Sequence, residues 1–229
     1  MAPMRVTSKT LIRIAFVGAI VLAAFTAPWA DSADPKIPNL STVKNLIKDY
    51  KDSGRWDRDN MGVAEQAIRY LDNKLGEKNG KPAIVLDIDD TSLSNYPYEL
   101  PHDFGFVSSE WLAWANKSDA PALPGTLKLY QHAKEKGVYV FFVTGRAEAL
   151  RESTVKNLES AGFKAFDGIY TKPDGYAEPS VVPFKSGVRA HLEAEGYRII
   201  LNMGDQDSDL EGGHAERTFK LPNPMYFIK

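Results

Sequence analysis

The chain has 229 residues, of which 43% are hydrophobic and 11% aromatic, so it can bury one substantial core within a single domain. It contains no cysteine, which excludes disulfides, thiol catalysis and thiolate metal sites. The formal net charge is -2 and the basic residues form no stripe, which argues against a nucleic-acid polymer as a partner.

The first thirty residues differ in composition from the rest. Residues 1–30 carry three basic residues and no acidic one, with an apolar run over 14–25 and small residues after it. This order is typical of a secretory signal peptide, and the run is short for a membrane span, with an uncleaved anchor as the alternative. Cleavage after Ala30 would move the net charge from -2 to -5. We therefore predict a signal peptide over 1–30, a linker over 31–38, and a periplasmic or secreted domain over 39–229 with no stable membrane span.

Apolar periodicity divides the rest of the chain into alternating elements. Helices are predicted at 40–50, 60–75, 126–136, 148–161 and 184–195. Strands are predicted at 83–86, 138–143, 168–171, 198–203 and 218–221. These strands are apolar without a period of two and alternate with helices. The expected fold class is therefore α/β, a Rossmann-like parallel sheet with helices on both faces.

One segment interrupts this alternation. Residues 95–124 are rich in proline and aromatic side chains and lie directly after the first long apolar strand. An insertion at that point is placed to cover the carboxyl end of the sheet, so we predict a small cap there. Tyr96, Trp111 and Trp114 are candidates for substrate contacts, with packing in a small apolar core as the alternative.

Polar residues follow three of the predicted strands. They are Asp87-x-Asp89-x-Thr91 after the first, Thr144-Gly145-Arg146 after the second, and Gly204-Asp205-Gln206-Asp207-Ser208-Asp209 after the fourth. The carboxyl ends of parallel strands share one edge of a sheet, and ligands bind there. Carboxylate oxygens suit a hard cation, so the pattern favours Mg2+ over Zn2+.

The sequence also indicates a site for an anion. Thr144 offers a hydroxyl and is expected at the start of a helix, whose dipole favours negative charge. Lys185, at the start of a later predicted helix, supplies positive charge, and Lys172 is the rival for that position. Arg146 could contact the same anion or pair with a carboxylate, and both interpretations stay open.

Together these motifs resemble a known family. In order, the chain carries VLDIDDTSLSN at 85–95, Thr144 at a strand end, Lys185, GDQDSDL at 204–210 and FKLPNP at 219–224. The set resembles the haloacid dehalogenase superfamily of phosphotransferases. More narrowly, it is similar to the exported acid phosphatase branch, which includes bacterial acid phosphatases and plant vegetative storage proteins.

The resemblance implies roles for individual residues. Asp87 would attack phosphorus and form an aspartyl-phosphate, and Asp89 would act as general acid and then as general base. The transferred phosphoryl group would be bound by Thr144, Gly145, Arg146 and Lys185. A Mg2+ cofactor would be held by Asp87, the main-chain carbonyl of Asp89 and Asp205, with Asp209 acting through water.

The implied function is that of a Mg2+-dependent acid phosphatase acting on small phosphate monoesters, with nucleotides as candidate substrates. The alternative is a non-catalytic storage or binding protein on the same scaffold. The plant storage members of this branch have typically lost the nucleophilic aspartate, whereas Asp87 is present here.

Overall fold

The computed structural model describes residues 37–77 and 79–228, and the described part from Pro38 onward forms one compact unit. The predicted signal peptide at 1–30, and the predicted linker up to residue 36, lie outside the described residues. Within the described ranges, none of the helices is long and apolar enough to cross a lipid bilayer.

The centre of this unit is a five-stranded sheet whose neighbouring strands all run parallel. Its strands are β1 (Lys81–Leu86), β2 (Tyr139–Ala147), β3 (Gly168–Lys172), β4 (Tyr197–Gly204) and β5 (Arg217–Lys220). Their order across the sheet is β3-β2-β1-β4-β5. Because β2 and β4 flank β1, the carboxyl end of β1 lies at the switch point where parallel sheets bind ligands. The predicted α/β class with a parallel sheet is confirmed.

Helices cover both faces of the sheet, as predicted. They are α1 (Leu40–Asp52), α2 (Arg55–Lys74), α3 (Tyr96–Glu99), α4 (Ser108–Lys117), α5 (Pro124–Glu135), α6 (Arg151–Ser160), α7 (Val182–Ala194) and α8 (Asp207–Leu210). The apolar side chains of α2, α5 and α6 join the larger core cluster, and those of α7 join the smaller one.

The side chains of β1 explain this two-sided arrangement. Ile84 and Leu86 belong to the larger apolar cluster, whereas Ala83 and Val85 belong to the smaller cluster with α7. All four side chains are buried. A strand covered on both faces is apolar at every position, which is the pattern that predicted it.

The predicted cap insertion contains α3 and α4, which lie between β1 and α5. It is tied to the loop after β1 by a bridge between Leu93 and Ala122 and by the Leu123 N–H, which donates to the Ser92 carbonyl at 2.9 Å. These contacts join the end of the cap to the loop after β1, and cap residues such as Trp111 line one cavity with Asp87.

The start of α2 differs from the prediction, since the helix begins at Arg55 instead of residue 60. Gly54 adopts a left-handed φ of 68° and separates α1 from α2. Trp56 is buried in the first turn, and its indole N–H donates to the Pro222 carbonyl at 2.8 Å. A single apolar residue among charged ones gives no periodic signal, so the sequence pattern missed this turn.

The end of β2 also differs, because the strand continues to Ala147. Thr144 and Ala147 pair with Thr171 and Lys172 of β3, with a bulge between the two pairs. The next helix, α6, begins only at Arg151, after a short 3-10 turn. The prediction that Thr144 lies at a helix start is therefore wrong, and a helix dipole does not support an anion at that position.

Candidate active site

Three carboxylates and one lysine meet at the carboxyl end of the sheet. Asp87 follows β1, Asp205 and Asp209 follow β4, and Lys185 lies near the start of α7. The Lys185 Nζ lies 2.7 Å from Asp87 Oδ1 and 2.5 Å from Asp209 Oδ1. One oxygen atom of each carboxylate lies within 4.8 Å of the others, and all four residues are buried. The fold thus makes neighbours of groups that are far apart in the sequence.

Neutral donors fix the orientation of the Asp205 carboxylate. Thr91 donates its hydroxyl to Oδ1 at 3.0 Å. The side-chain amides of Gln206 and Asn223 donate to Oδ2 at 2.6 Å and 2.7 Å. Since Thr91 follows β1 and Asn223 follows β5, three loops hold this one side chain.

Backbone geometry positions the Asp209 carboxylate. The Gln206 N–H donates to Asp209 Oδ2 at 2.9 Å, which caps the short helix α8. Asp209 also packs directly against Gly204, where a Cβ atom would collide with its carboxylate. The glycine that ends β4 therefore makes room for this acidic side chain.

Burial and like charge both act on the carboxylates. Burial, followed by the charge of Asp209, raises the pKa of Asp87 well above its usual range, against the lowering effect of Lys185. The same two causes, with the charge of Asp90, raise the pKa of Asp205 to about 7. Burial alone would lower the pKa of Lys185, but Asp87 and Asp209 outweigh it and raise that pKa. One ammonium facing three carboxylates leaves a local excess of negative charge.

The donor set fits a hard divalent cation. The cluster offers carboxylate oxygens only, and neither histidine nor cysteine joins it among the described residues. Hard cations such as Mg2+ prefer oxygen ligands, and a cation would offset the charge that raises these pKa values. Asp87, Asp205 and Asp209 are therefore able to hold the predicted metal. The Asp89 side chain lies outside this cluster, so its predicted contribution is limited to the main-chain carbonyl.

A two-pronged ion pair holds the Asp89 side chain instead. Arg146 Nε lies 3.1 Å from both carboxylate oxygens, and Nη2 lies 2.7 Å from Oδ1. Burial alone would raise the pKa of Asp89, but the charge and hydrogen bonds of Arg146, with a bond from Asn95, lower it. Of the two interpretations of Arg146, the structure has the carboxylate pairing.

Asn95 and Trp114 add further hydrogen bonds to the ion pair between Arg146 and Asp89. The Asn95 side-chain amide donates to Asp89 Oδ1 at 2.8 Å, and the Trp114 indole N–H donates to Asn95 Oδ1 at 3.1 Å. Trp114 therefore supports the residue that orients Asp89. Trp114 is not one of the residues that line the main cavity.

The residues after the main body of β2 are packed closely. Thr144 is fully buried, and its Oγ1 accepts the Arg146 N–H at 3.1 Å. Gly145 and Arg146 line the cavity, whereas Thr144 does not line it in this conformation. The structure thus brings three of the four predicted phosphate-binding residues, Gly145, Arg146 and Lys185, to the cavity wall.

These groups surround a cavity of about 450 Å³. Asp87, Asp89, Asp205 and Asp209 all line it, together with Lys185. Lys172 lies on the wall as well and forms no ion pair with another described residue. Of the two candidate lysines, Lys185 is the one that contacts the Asp87 carboxylate.

The three aromatic residues predicted to contact substrate occupy different places. Trp111 lines the main cavity. Tyr96 lines a separate small cavity with Tyr50 and Trp56, away from the carboxylates. Trp114 donates to Asn95, as described above. The cap aromatics thus divide between lining the site and packing beneath it, which sequence spacing alone could not resolve.

Sequence reasoning missed the segment after β5 as a part of the site. Met225, Tyr226, Phe227 and Ile228 all line the main cavity. The Tyr226 hydroxyl donates to Asp90 Oδ2 at 2.8 Å, and Asp90 follows Asp89 with a left-handed φ of 51°. The available signal was the run of four consecutive hydrophobic residues that follows the sequence Pro-Asn-Pro at 222–224.

A parallel sheet that brings an Asp-x-Asp loop, a lysine and a second acidic loop to one cavity has the architecture of the haloacid dehalogenase superfamily. The family model described as HAD superfamily, subfamily IIIB (acid phosphatase) matches residues 18–229. The chain belongs to this family. The predicted class of enzyme, a phosphoric monoester hydrolase, is confirmed at the level of the family.

Relatives from plants and a bacterium agree with this assignment. The chain is 38% identical over 187 residues to a stem 31 kDa glycoprotein of Glycine max, covering 80% of this chain and 73% of that protein. It is 37% identical over 202 residues to acid phosphatase 1 of Solanum lycopersicum, covering 83% and 79%. It is 33% identical over 201 residues to vegetative storage protein 1 of Arabidopsis thaliana, covering 84% and 74%. The structure of the class C acid phosphatase from Bacillus anthracis superposes with a TM-score of 0.69 at 25% identity, covering 82% of this chain and 87% of that one.

Proposed function

We propose that this protein is a Mg2+-dependent phosphomonoesterase that hydrolyses small phosphate monoesters through an aspartyl-phosphate on Asp87. The family supports phosphomonoesterase activity. The observation that carries the finer proposal is the contact of Asp87 with Lys185 beside Asp205 and Asp209. This arrangement supports the proposal, since it would bring the nucleophile, a cationic side chain and the metal-binding carboxylates within reach of one phosphoryl group.

Asp87 is the proposed nucleophile. Its Oδ1 is held by Lys185 at 2.7 Å, so the carboxylate faces the cavity from the carboxyl end of β1. A carboxylate oxygen attacks phosphorus and the ester oxygen leaves, which transfers the phosphoryl group to Asp87. Water then attacks phosphorus and releases phosphate, which restores the carboxylate.

Asp89 is the proposed general acid and base. In the first step its protonated form gives a proton to the leaving oxygen, and in the second step the carboxylate takes a proton from the attacking water. Arg146 and Asn95 orient the side chain for both tasks. Because Arg146 lowers the pKa of Asp89, the protonated form is abundant only at low pH, in keeping with an acid phosphatase.

Charge neutralisation is the remaining requirement, because an anionic nucleophile repels a phosphate monoester. Lys185 supplies one positive charge at the nucleophile. Gly145 and Arg146 on the cavity wall are further proposed phosphate contacts, and Thr144, whose hydroxyl accepts the Arg146 N–H, would have to turn its hydroxyl to join them. A Mg2+ held by Asp87, Asp205, Asp209 and the Asp89 main-chain carbonyl would stabilise the negative charge on the phosphoryl oxygens.

The location and partners follow from the same proposal. The N-terminal composition favours export, so we place the mature protein in a periplasm or outside the cell. Its partner is a small-molecule phosphate monoester, with nucleotides and aryl monoesters as candidates. The proposal includes no nucleic-acid polymer as a partner and no stable membrane span in the mature chain.

The storage or binding alternative has one observation in its favour, the 33% identity to a vegetative storage protein. Against it, Asp87 is present, buried and paired with Lys185, as catalysis requires. A protein that only stores or binds has no need of a nucleophile held in this way.

Hydrolysis of p-nitrophenyl phosphate tests the proposal. Wild-type protein should turn over this substrate with Mg2+, lose activity with EDTA and recover when Mg2+ is returned. Asp87→Asn should abolish turnover, and exposed Asp119→Asn is the matched control that should keep it. Wild-type rates in Asp87→Asn would remove the covalent mechanism, and a folded wild type without turnover would support the storage alternative.

A further inference from the structure

The segment at 209–213, which continues the acidic loop after β4, lies against one side of α7. At its start, Lys185 Nζ on α7 lies 2.5 Å from Asp209 Oδ1. Further along, Gly212 adopts a left-handed φ of 85°, and a Cβ atom there would lie 2.4 Å from the Ser186 Cβ. The helix therefore supports the segment at more than one point, and glycine is needed where the two backbones approach most closely.

Arg189 is the main attachment between α7 and this segment. It lies one turn after Lys185 on the same face of the helix and is only 1% exposed. Its Nε donates to the Gly213 carbonyl at 2.8 Å, and its Nη1 donates to the Asp209 carbonyl at 2.8 Å. Its Nη2 donates to the Glu211 carbonyl. One side chain thus holds three alternate residues of the segment.

The burial of this guanidinium group has a cost. Burial lowers the pKa of Arg189, against the raising effect of the Asp209 charge. In the described part of the chain, all hydrogen bonds of the guanidinium go to main-chain carbonyls. An apolar side chain could fill the same space without desolvating a charge. What arginine alone adds is a rigid fork that reaches several carbonyls at once.

The main chain of Asp209 is held from a second direction as well. The Asn202 side-chain amide, on β4, donates to the Asp209 carbonyl at 2.8 Å. This carbonyl therefore lies between α7 and the sheet, with Arg189 on one side and Asn202 on the other. Because its main chain is fixed, the Asp209 carboxylate enters the acidic cluster at one place.

We infer that Arg189 is a positioning residue that fixes the segment at 209–213, so that the Asp209 carboxylate is in place for Mg2+. The inference rests on the proposed function and deepens it, because it names the residue that holds a metal-binding loop. Arg189 does not line the cavity, so its effect on the metal passes through Asp209. Partners that orient metal ligands in this way commonly account for about tenfold or more in metal affinity.

Calorimetric titration of the metal-free protein with Mg2+ tests this role. Arg189→Lys keeps the positive charge but loses the fork, so the Kd for Mg2+ should rise about tenfold. Arg217→Lys, the same change at an exposed position on β5, is the matched control and should keep the wild-type Kd.

Activity gives a second measurement on the same variant. The Mg2+ concentration for half-maximal hydrolysis of p-nitrophenyl phosphate should rise by a similar factor in Arg189→Lys. At saturating Mg2+, kcat should return to the wild-type value, because the bound metal restores the place of Asp209. A change that only weakened the fold would not give this recovery.

Two further variants separate position from stability. Leu192→Val changes a buried apolar residue on the same helix, so it should lower Tm and leave the Kd for Mg2+ unchanged. Gly212→Ala pushes the segment away from α7 without changing Arg189, so it should weaken Mg2+ binding as well.

A folded Arg189→Lys that binds Mg2+ as tightly as the wild type would overturn the inference and leave the proposed function standing. If Arg189→Lys does not fold, a folded Gly212→Ala with the wild-type Kd would overturn it instead. A wild type that binds no Mg2+ would reject both the proposed metal dependence and the inference. A wild type that binds Mg2+ without turnover, and more tightly than Arg189→Lys, would reject the proposed function alone.

Discussion

At the scale of single residues, the most informative interaction is the ion pair between Asp89 and Arg146. A general acid needs a proton, yet Arg146 stabilises the charged form and lowers the pKa of Asp89. The same pair holds the carboxylate in one orientation through three short contacts. Arg146 thus holds the carboxylate in one position and reduces the fraction of Asp89 that carries a proton at a given pH.

Substitution of Arg146 tests this interpretation. In Arg146→Met the lowering charge is gone and burial raises the pKa of Asp89. Asp89 then keeps its proton to higher pH. In the pH profile of kcat/KM, the limb on which the value falls with rising pH should therefore shift to higher pH. With benzyl phosphate the rate should also drop about a hundredfold, because the carboxylate is no longer oriented.

Two comparisons sharpen this measurement. The loss should be smaller with p-nitrophenyl phosphate, whose leaving group scarcely needs a proton. Arg146→Lys keeps the charge but loses the two-pronged contact, so its limb should lie near that of the wild type while its rate stays low. A limb that does not move in Arg146→Met would show that Asp89 is not the titrating acid.

At the scale of elements, α2 and α5 approach each other closely at Gly125. A Cβ atom there would lie 3.1 Å from the Ala64 Cβ, 3.1 Å from the Met61 Cα and 3.2 Å from the Asn60 carbonyl oxygen. Two of these atoms belong to the backbone of α2 and cannot rotate away. Glycine is therefore needed for the packing that supports the larger core cluster.

Gly125→Ala should destabilise the fold by about 1–3 kcal/mol through this overpacking. Gly187→Ala is the matched control, because Gly187 lies within α7 and an added Cβ would meet no atom within 4 Å. That change should stabilise the fold by about 0.5–1 kcal/mol, since alanine favours a helix. Urea unfolding measures both. A Gly125→Ala variant as stable as Gly187→Ala would contradict the close approach.

The sequence predicted the positions of the helices and strands better than it predicted the tertiary contacts at their ends. The five strands and the two-sided sheet follow from unbroken apolar runs such as 83–86, since burial on both faces leaves no other pattern. The start of α2 and the end of β2 did not follow. Trp56 is buried against Pro222 and Thr144 pairs with β3, and both contacts come from distant parts of the chain.

The candidate site was predicted in the same uneven way. Asp87, Lys185, Asp205 and Asp209 could be placed together because each follows or precedes a predicted element at one edge of the sheet. The Arg146 pairing and the places of Tyr96 and Trp114 depend on side-chain directions within the cap, which have no periodic signal. The segment 225–228 joins the site only through tertiary hydrogen bonds.

At the scale of the whole molecule, the fold carries a buried acidic cluster at its centre. In the metal-free protein the pKa of Asp205 is raised from 3.8 to about 7, and that of Asp87 is raised as well. Between these pH values the folded chain binds protons that the unfolded chain has released. The free energy of unfolding therefore falls as the pH rises through this window.

Thermal unfolding should reveal this dependence. With EDTA, Tm should be higher at about pH 5 than at about pH 8. Mg2+ binds the deprotonated carboxylates, so its addition should raise Tm more at the higher pH. Asp205→Asn should reduce both the pH dependence and the response to Mg2+. A metal-free Tm that rises across this window, with no response to Mg2+, would contradict the buried cluster as a cation site.

The central claim is that Asp87 carries the phosphoryl group, and the most direct test is to trap it there. Asp89→Asn removes the base that activates water but leaves the p-nitrophenyl leaving group able to depart unaided, so the covalent form should accumulate. Acid quenching of this variant during reaction with radiolabelled p-nitrophenyl phosphate, followed by peptide mapping, should place hydroxylamine-labile label on Asp87. Release of p-nitrophenol with no label on the protein, or with label on another residue, would contradict the account.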